Sequence, residues 1–316
     1  MSRPGTTAVL LVSCPDQKGL VAAVSDFVYR HDGNIRSADQ HTDEEQGVFL
    51  QRVEWDLDGF RVGRQAIAEA FRPVAERFSM SWELRFSDQV PRVALFASRQ
   101  GHCLQDLLWR WRAGELRAEV PLVISNHPDL GELAASFGVS YHVHEVRPET
   151  KRAQEQAMLE RLRAEGVSLV VLARYMQVLT PEFVAAFPSR IINIHHSFLP
   201  AFAGAQPYRQ AYVRGVKVIG ATAHYVTSVL DEGPIIAQSV IPVDHTFDVD
   251  DMQRAGRDGE KVVLARALSW SSPTRVRADA AVRHLPHARH RRPPPGAARL
   301  GGPGVRRRPA RALRGG

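Results

Sequence analysis

Cysteine is nearly absent: the 316 residues hold two, Cys14 and Cys103, far apart in the chain. That excludes a disulfide framework and a cysteine-based zinc site, and leaves two free thiols of a reducing compartment. Long apolar runs are also missing. Ala8 to Val12 is too short for a signal-peptide core, and nothing approaches the ~18 residues of a membrane span, so a cytoplasmic protein without a membrane partner is expected. Positive charge is missing from most of the chain. Ser271 to Gly316 carries twelve arginines, no lysine and a single acid, Asp279, a net charge of +11; the chain's formal +7 therefore leaves residues 1–270 at −4. A mildly acidic body does not offer phosphates a basic surface, and no nucleic-acid partner is expected.

What remains is 44% hydrophobic, ample for a sizeable core, and the length suits two domains. Over residues 1–87 the periods alternate legibly. Thr7 to Ser13 is strand-like; Leu20, Val24, Phe27 and Val28 repeat at helical spacing; Asp32-Gly33-Asn34 stops that helix. Ile35 to His41, the turn DEEQG and a strand bearing Phe49, Val53 and Trp55 form a hairpin. Ile67, Phe71, Val74 and Phe78 mark a second helix, and Met80, Trp82, Leu84 and Phe86 alternate in a closing strand. The order βαββαβ is a split-βαβ, ferredoxin-like sandwich. From residue 91 to 270, short β-rich runs at Val93–Ala97, Val120–Ile124, Ser168–Ala173 and Arg190–Ile194 alternate with helical stretches, as a Rossmann-like, mostly parallel sheet requires. Gly220 to Val226 and Ile235 to Val243 add two antiparallel strands. The fold class is α/β throughout.

Ligands of such sheets bind beyond the carboxyl ends of the strands, which directs attention to INIHHS at 192–197. Residues two apart on a strand share a face, so Asn193 and His195 point one way and His196 the other. An amide donor beside an imidazole suits carbonyl chemistry, the first stabilising an oxyanion and the second moving protons. Asp231, in the turn before a strand, is a candidate third member. From spacing alone a hydrogen-bonded structural histidine is an equal reading. A metal is disfavoured: His195 and His196 diverge, no HExxH occurs, and His142-Val-His144 has no obvious carboxylate partner. Ser197 lacks a nucleophile elbow.

The run IINIHHSFLPAFAGAQPYRQAYVRGVKVIGATAHYVTSVLDEGPIIAQ, with SRQGHCLQDLLWRWRAGEL, SNHPDL and LARYMQVLT before it, resembles the 10-formyltetrahydrofolate-dependent formyltransferase family, and most closely its deformylase branch. The N-terminal unit, with CPDQKGLVAAVSDFVYRHDGNI, resembles an ACT domain. The resemblance implies hydrolysis of 10-formyltetrahydrofolate to formate and tetrahydrofolate, with Asn193, His195 and Asp231 as the catalytic set, and no metal or cofactor beyond the folate substrate. It further implies a folate cleft along Met176, Gln177, Val178, Leu179, Val226 and Thr227, although the apolar members of the first loop would otherwise read as core. An amino-acid effector, glycine or methionine, is implied at Asp16, Gly19, Gly33, Asn34 and Ile35, with Gly33 equally explained as a helix stop. The resemblance also implies a homo-oligomer.

Two other functions stay open at this point. A formyltransferase acting on a phosphorylated amine or on methionyl-tRNA needs an anion site, commonly a Gly-rich turn at a helix start, where this chain has Gly101-His102-Cys103-Leu104. An amino-acid-sensing folate binder without turnover is the second. The family pattern stops near Trp270, where a few more helical residues and a short strand would be expected. The Arg-, Pro- and Gly-rich tail at 271–316 reads as disordered, or as the product of a shifted reading frame.

Overall fold

The computed structural model describes residues 5–201 and 206–270. The tail at 271–316, and with it the readings of disorder or a frame change, lies outside the described residues. No described helix is long and apolar enough to cross a membrane.

The N-terminal part runs β1 (Thr7–Pro15), α1 (Leu20–Arg30), β2 (Ile35–Asp43), β3 (Val48–Asp56), α2 (Ile67–Arg77) and β4 (Ser81–Phe86). Its four strands pair in the order β2-β3-β1-β4, all antiparallel. Strand alternation sends Ala8, Leu10 and Val12 of β1 and Phe49, Val53 and Trp55 of β3 to one face, where they pack against Val24, Phe27 and Phe71 of the two helices. The turn after α1 shows why Gly33 is glycine. Its N–H donates to the Val28 carbonyl at 2.9 Å, and a Cβ there would lie 2.5 Å from Val28 Cγ1 and 2.9 Å from that carbonyl oxygen. The helix-stop explanation of Gly33 therefore accounts for this residue without a ligand.

The second part runs β5 (Val93–Ala97), α3 (His102–Arg112), β6 (Leu122–Ser125), α4 (Gly131–Ser136), β7 (Ser140–Val143), α5 (Lys151–Ala164), β8 (Leu169–Leu172), α6 (Pro181–Ala186), β9 (Ile191–His195), α7 (Pro207–Val213), β10 (Val218–Tyr225), β11 (Ile235–Pro242) and α8 (Val249–Trp270). The seven strands lie in the order β11-β10-β9-β8-β5-β6-β7. Five are parallel, and β10 and β11 close one edge antiparallel. Both faces are covered: Leu95, Val123 and Val171 face a cluster that takes in α3 and α8, while Phe96, Ile124 and Val170 face α5 and α6. Sequence reading passed over β7, because SYHV carries no run of apolar residues and sits half-exposed at the sheet edge.

Substituting Gly33→Ala forces a methyl group onto the Val28 carbonyl and should destabilise the N-terminal part by about 1–3 kcal/mol, read as a lower thermal midpoint of its unfolding.

Candidate active site

β9 is buried up to its end and delivers Asn193 and His195 on one face, the second only 6% exposed. β10 runs antiparallel beside it with His224 opposite Asn193 and Thr222 opposite His195. Four polar side chains thus meet across two strands. Asn193 Nδ2 lies 3.2 Å from His224 Nε2. Thr222 Oγ1 is bonded elsewhere: it donates to the Ser197 carbonyl at 2.8 Å and accepts from Leu199 N–H at 3.0 Å, which fixes the turn that leaves β9. In that turn the Ser197 hydroxyl donates to the Ala201 carbonyl, a structural task.

Asp231 comes from the connection between β10 and β11. Its Oδ1 lies 3.3 Å from His195 Nδ1 and 3.7 Å from His224 Nε2, so the three residues proposed from the sequence do converge, with His224 as a fourth member. Two backbone features carry the carboxylate there. Asp231 has φ of 57°, and Gly233 packs so closely on the end of β10 that a Cβ would lie 1.7 Å from the Tyr225 carbonyl oxygen. Tyr225 N–H in turn donates to the Pro234 carbonyl at 2.9 Å.

Protonation follows from these partners. His224 Nδ1 lies 2.9 Å from the Tyr225 carbonyl, which can only accept, so Nδ1 carries the hydrogen and Nε2 of the neutral ring accepts from Asn193. One amide hydrogen of Asn193 then remains for a ligand. Hydrogen bonds from His195 first, and then from His224, hold the Asp231 carboxyl well below the usual carboxylate range, although its partial burial acts the other way. The ionised carboxylate fixes the Nδ1–H tautomer of His195. His195 Nε2 is buried and has no hydrogen-bond partner among the described residues. It is a lone pair aimed into the site.

His196 faces away, as strand alternation requires, with its ring 5.3 Å from that of His195 and 5.9 Å from that of Tyr208. Burial, and after it the Arg174 guanidinium, push its pKa down to about 4. Beyond Tyr208 lies a polar group that sequence reading missed. Glu260 of α8, 1% exposed, accepts from Tyr208 Oη at 2.8 Å, lies 2.8 Å from His102 Nε2 and 3.5 Å from Arg174 Nε. His102, Cys103 and Glu260 place ligand atoms within 4.8 Å of one another. A cation there would face the Arg174 guanidinium, and burial keeps the Cys103 thiol protonated, so these residues suit an internal ion pair better than a metal.

The remaining expected site residues fall in two regions. In the first loop Leu179 is core, packed with Tyr175 and Phe183, whereas Met176 and Val178 are 59% and 57% exposed and Gln177 is partly so. The loop is tied at three points: Met176 N–H donates to Ser98 Oγ at 2.9 Å, Lys151 Nζ donates to the Val178 carbonyl, and Thr180 donates to Glu155 through both its N–H and its hydroxyl. In the second loop Val226 N–H donates to the Ile191 carbonyl and Thr227 Oγ1 to the Val229 carbonyl, and Val229 and Leu230 are exposed. The effector residues do not meet within one chain. Asp16 and Gly19 precede α1 while Gly33, Asn34 and Ile35 follow it, eleven helical residues or about 16 Å apart. Asn34 is engaged by Asp56, to which its Nδ2 donates at 3.2 Å.

The chain matches the formyl transferase family model over residues 91–268 and the ACT domain model over residues 8–76. It is 58% identical over 262 residues to a formyltetrahydrofolate deformylase of Synechocystis, covering 83% of this chain and 92% of the relative. The crystal structure of a formyltetrahydrofolate deformylase from Pseudomonas syringae superposes with a TM-score of 0.82 at 45% identity, over 85% of this chain and 90% of that one. A glycinamide ribonucleotide transformylase from Symbiobacterium toebii matches over 59% of this chain and 90% of its own, with a TM-score of 0.55 at 38% identity.

Two outcomes follow from this geometry. Gly233→Ala displaces the Asp231 connection from β10 and should lower turnover by at least about tenfold while the protein stays folded by circular dichroism. His196, held neutral, stabilises the fold fully above its ordinary pKa of 6.5, and that contribution is lost as pH falls from there toward about 4. In His196→Gln the fall in melting temperature across that window should be shallower than in the parent chain.

Proposed function

The chain belongs to the formyl transferase family, joined at its N-terminal side to an ACT domain, and on that premise we propose that it hydrolyses 10-formyltetrahydrofolate to formate and tetrahydrofolate. The observation that carries the chemistry is His195: Nδ1 lies beside the Asp231 carboxylate, and Nε2 is left buried without a partner. That nitrogen is the general base. It takes a proton from water as the water oxygen bonds to the formyl carbon, and the carbonyl oxygen becomes an oxyanion that accepts the free amide hydrogen of Asn193. When the tetrahedral centre collapses, the carbon–N10 bond breaks. Its electron pair goes to N10, the imidazolium returns the proton there, and formate leaves. Asp231 stabilises the imidazolium between the two transfers, and His224 aligns Asn193 by accepting its other amide hydrogen. In this scheme protons move only between water, His195 and N10, and no step calls on a metal or on a cofactor other than the folate.

The exposed apolar side chains of Met176, Val178, Val229 and Leu230 support a flat aromatic ligand beside this centre. Backbone N–H groups of Met176 and Val226 are already committed within the protein, so the ring is read by other polar groups of the two loops. For the ACT domain we infer control by a small amino acid. Because its two candidate segments lie at opposite ends of α1, a site using both takes them from two copies of the chain, which supports a homo-oligomer.

Formate release from 10-formyltetrahydrofolate by the purified chain tests the proposal. Asp231→Asn and His195→Ala should each lose at least about a hundredfold in turnover, the usual scale for a positioned acid–base group. Undiminished formate release in both variants would remove the assignment.

A further inference from the structure

Glu260 takes no part in the scheme above, yet it is a carboxylate buried to 1% exposure and held ionised by His102, Arg174 and Tyr208 against the effect of its burial. Its position in the fold suggests why. The chain runs from β5 outward through β6 and β7, then returns to place β8 on the other side of β5. The strand order reverses between β5 and β8, and the crevice outside their carboxyl ends is where open α/β sheets hold their ligands. α3 starts there, directed with its N-terminal N–H groups and the positive end of its dipole toward an anion.

In this chain that crevice is already filled from within. His102, the first residue of α3, is bonded to Glu260. Arg174, just beyond β8, spends its guanidinium on Gln100 Oε1 at 3.1 and 3.0 Å and on Glu260 at 3.5 Å, and is only 8% exposed. Gly256, one turn before Glu260 on the same face of α8, admits the Tyr208 hydroxyl to the second carboxylate oxygen; a Cβ there would lie 2.0 Å from it. Both cations that could receive an anion beside His196 and His195 are thus neutralised by a carboxylate of the chain itself. The transformylase of Symbiobacterium toebii, alike in fold, is named for a ribonucleotide, whose phosphate is the kind of anion such a crevice accepts.

We propose that Glu260 is a built-in anion that closes the acceptor side of the site to phosphorylated amines and leaves water as the formyl acceptor. The inference rests on the hydrolytic reading and adds a specificity residue to it. Where the closure is lifted, the step balances as before: the amine nitrogen bonds to the formyl carbon, the carbon–N10 bond breaks with its pair going to N10, and the amine proton passes through His195 to N10.

The test uses the full chain, Glu260→Gln and Glu260→Ala, each with inorganic phosphate against equal ionic strength of chloride. Both variants should gain melting temperature in phosphate, and a variant that does not fold in chloride should be recovered by phosphate, since a free anion replaces the lost carboxylate. Adding Arg174→Ala to Glu260→Gln should abolish that gain. Glu260→Gln should also raise the ratio of formyl transfer to glycinamide ribonucleotide over formate release by about tenfold or more, the scale of one charge-assisted hydrogen bond. The parent chain should show neither a phosphate-dependent shift nor transfer. A phosphate shift in the parent chain, or variants indifferent to phosphate, would overturn the proposal. Absence of formate release by the parent chain would instead refute the hydrolytic reading, with the anion replacement standing or falling on its own melting data.

Discussion

The antiparallel register between β9 and β10, with Asn193 opposite His224 and His195 opposite Thr222, is the constraint on which the rest of the site depends. Side chains alternate along a strand, so a slip of one residue would exchange Asn193 and His195 for Ile194 and His196 on the working face. The register is held by apolar neighbours, Ile192 and Ile194 on one strand and Ala221 and Ala223 on the other, which lie in the core common to α3 and α8. It is held a second time at the turn, where Thr222 binds both Ser197 and Leu199. Packing that is purely structural thus decides which imidazole meets Asp231.

The two adjacent histidines are consequently in different electrostatic surroundings. His195 shares a carboxylate and keeps an unpaired nitrogen. His196 sits toward Arg174 and Tyr208, where burial and a nearby guanidinium keep it uncharged. A neutral ring between the reacting centre and the Glu260 group separates two buried carboxylates, each neutralised by its own donors. Neither has to share protons with the other.

Much of this was legible in the residues. The βαββαβ order, the parallel core and the convergence of Asn193, His195 and Asp231 follow from periodicity, strand alternation and family resemblance. His224 was not singled out, although the alternation Thr222-Ala223-His224 on a strand pairing with INIH carried the signal; what was lacking was the register. Glu260 was less accessible still. It lies in the helical run GRDGEKVVLARAL among charged residues that face solvent, and only the three-dimensional crossing of α8 past α3 and α7 brings it to His102 and Tyr208. Met176 and Val178 are apolar and exposed, so composition alone would have assigned them wrongly to the core.

The three anchors of the 176–180 loop have a thermodynamic consequence. Ser98, Lys151 and Glu155 fix its backbone from β5 and α5 before any ligand arrives. A loop already ordered gives up little conformational entropy on binding, so the association of a flat ring with it can draw almost entirely on shape and on the release of water from Met176 and Val178. Discrimination is then that of a rigid aperture, which admits or refuses a ring without reshaping around it.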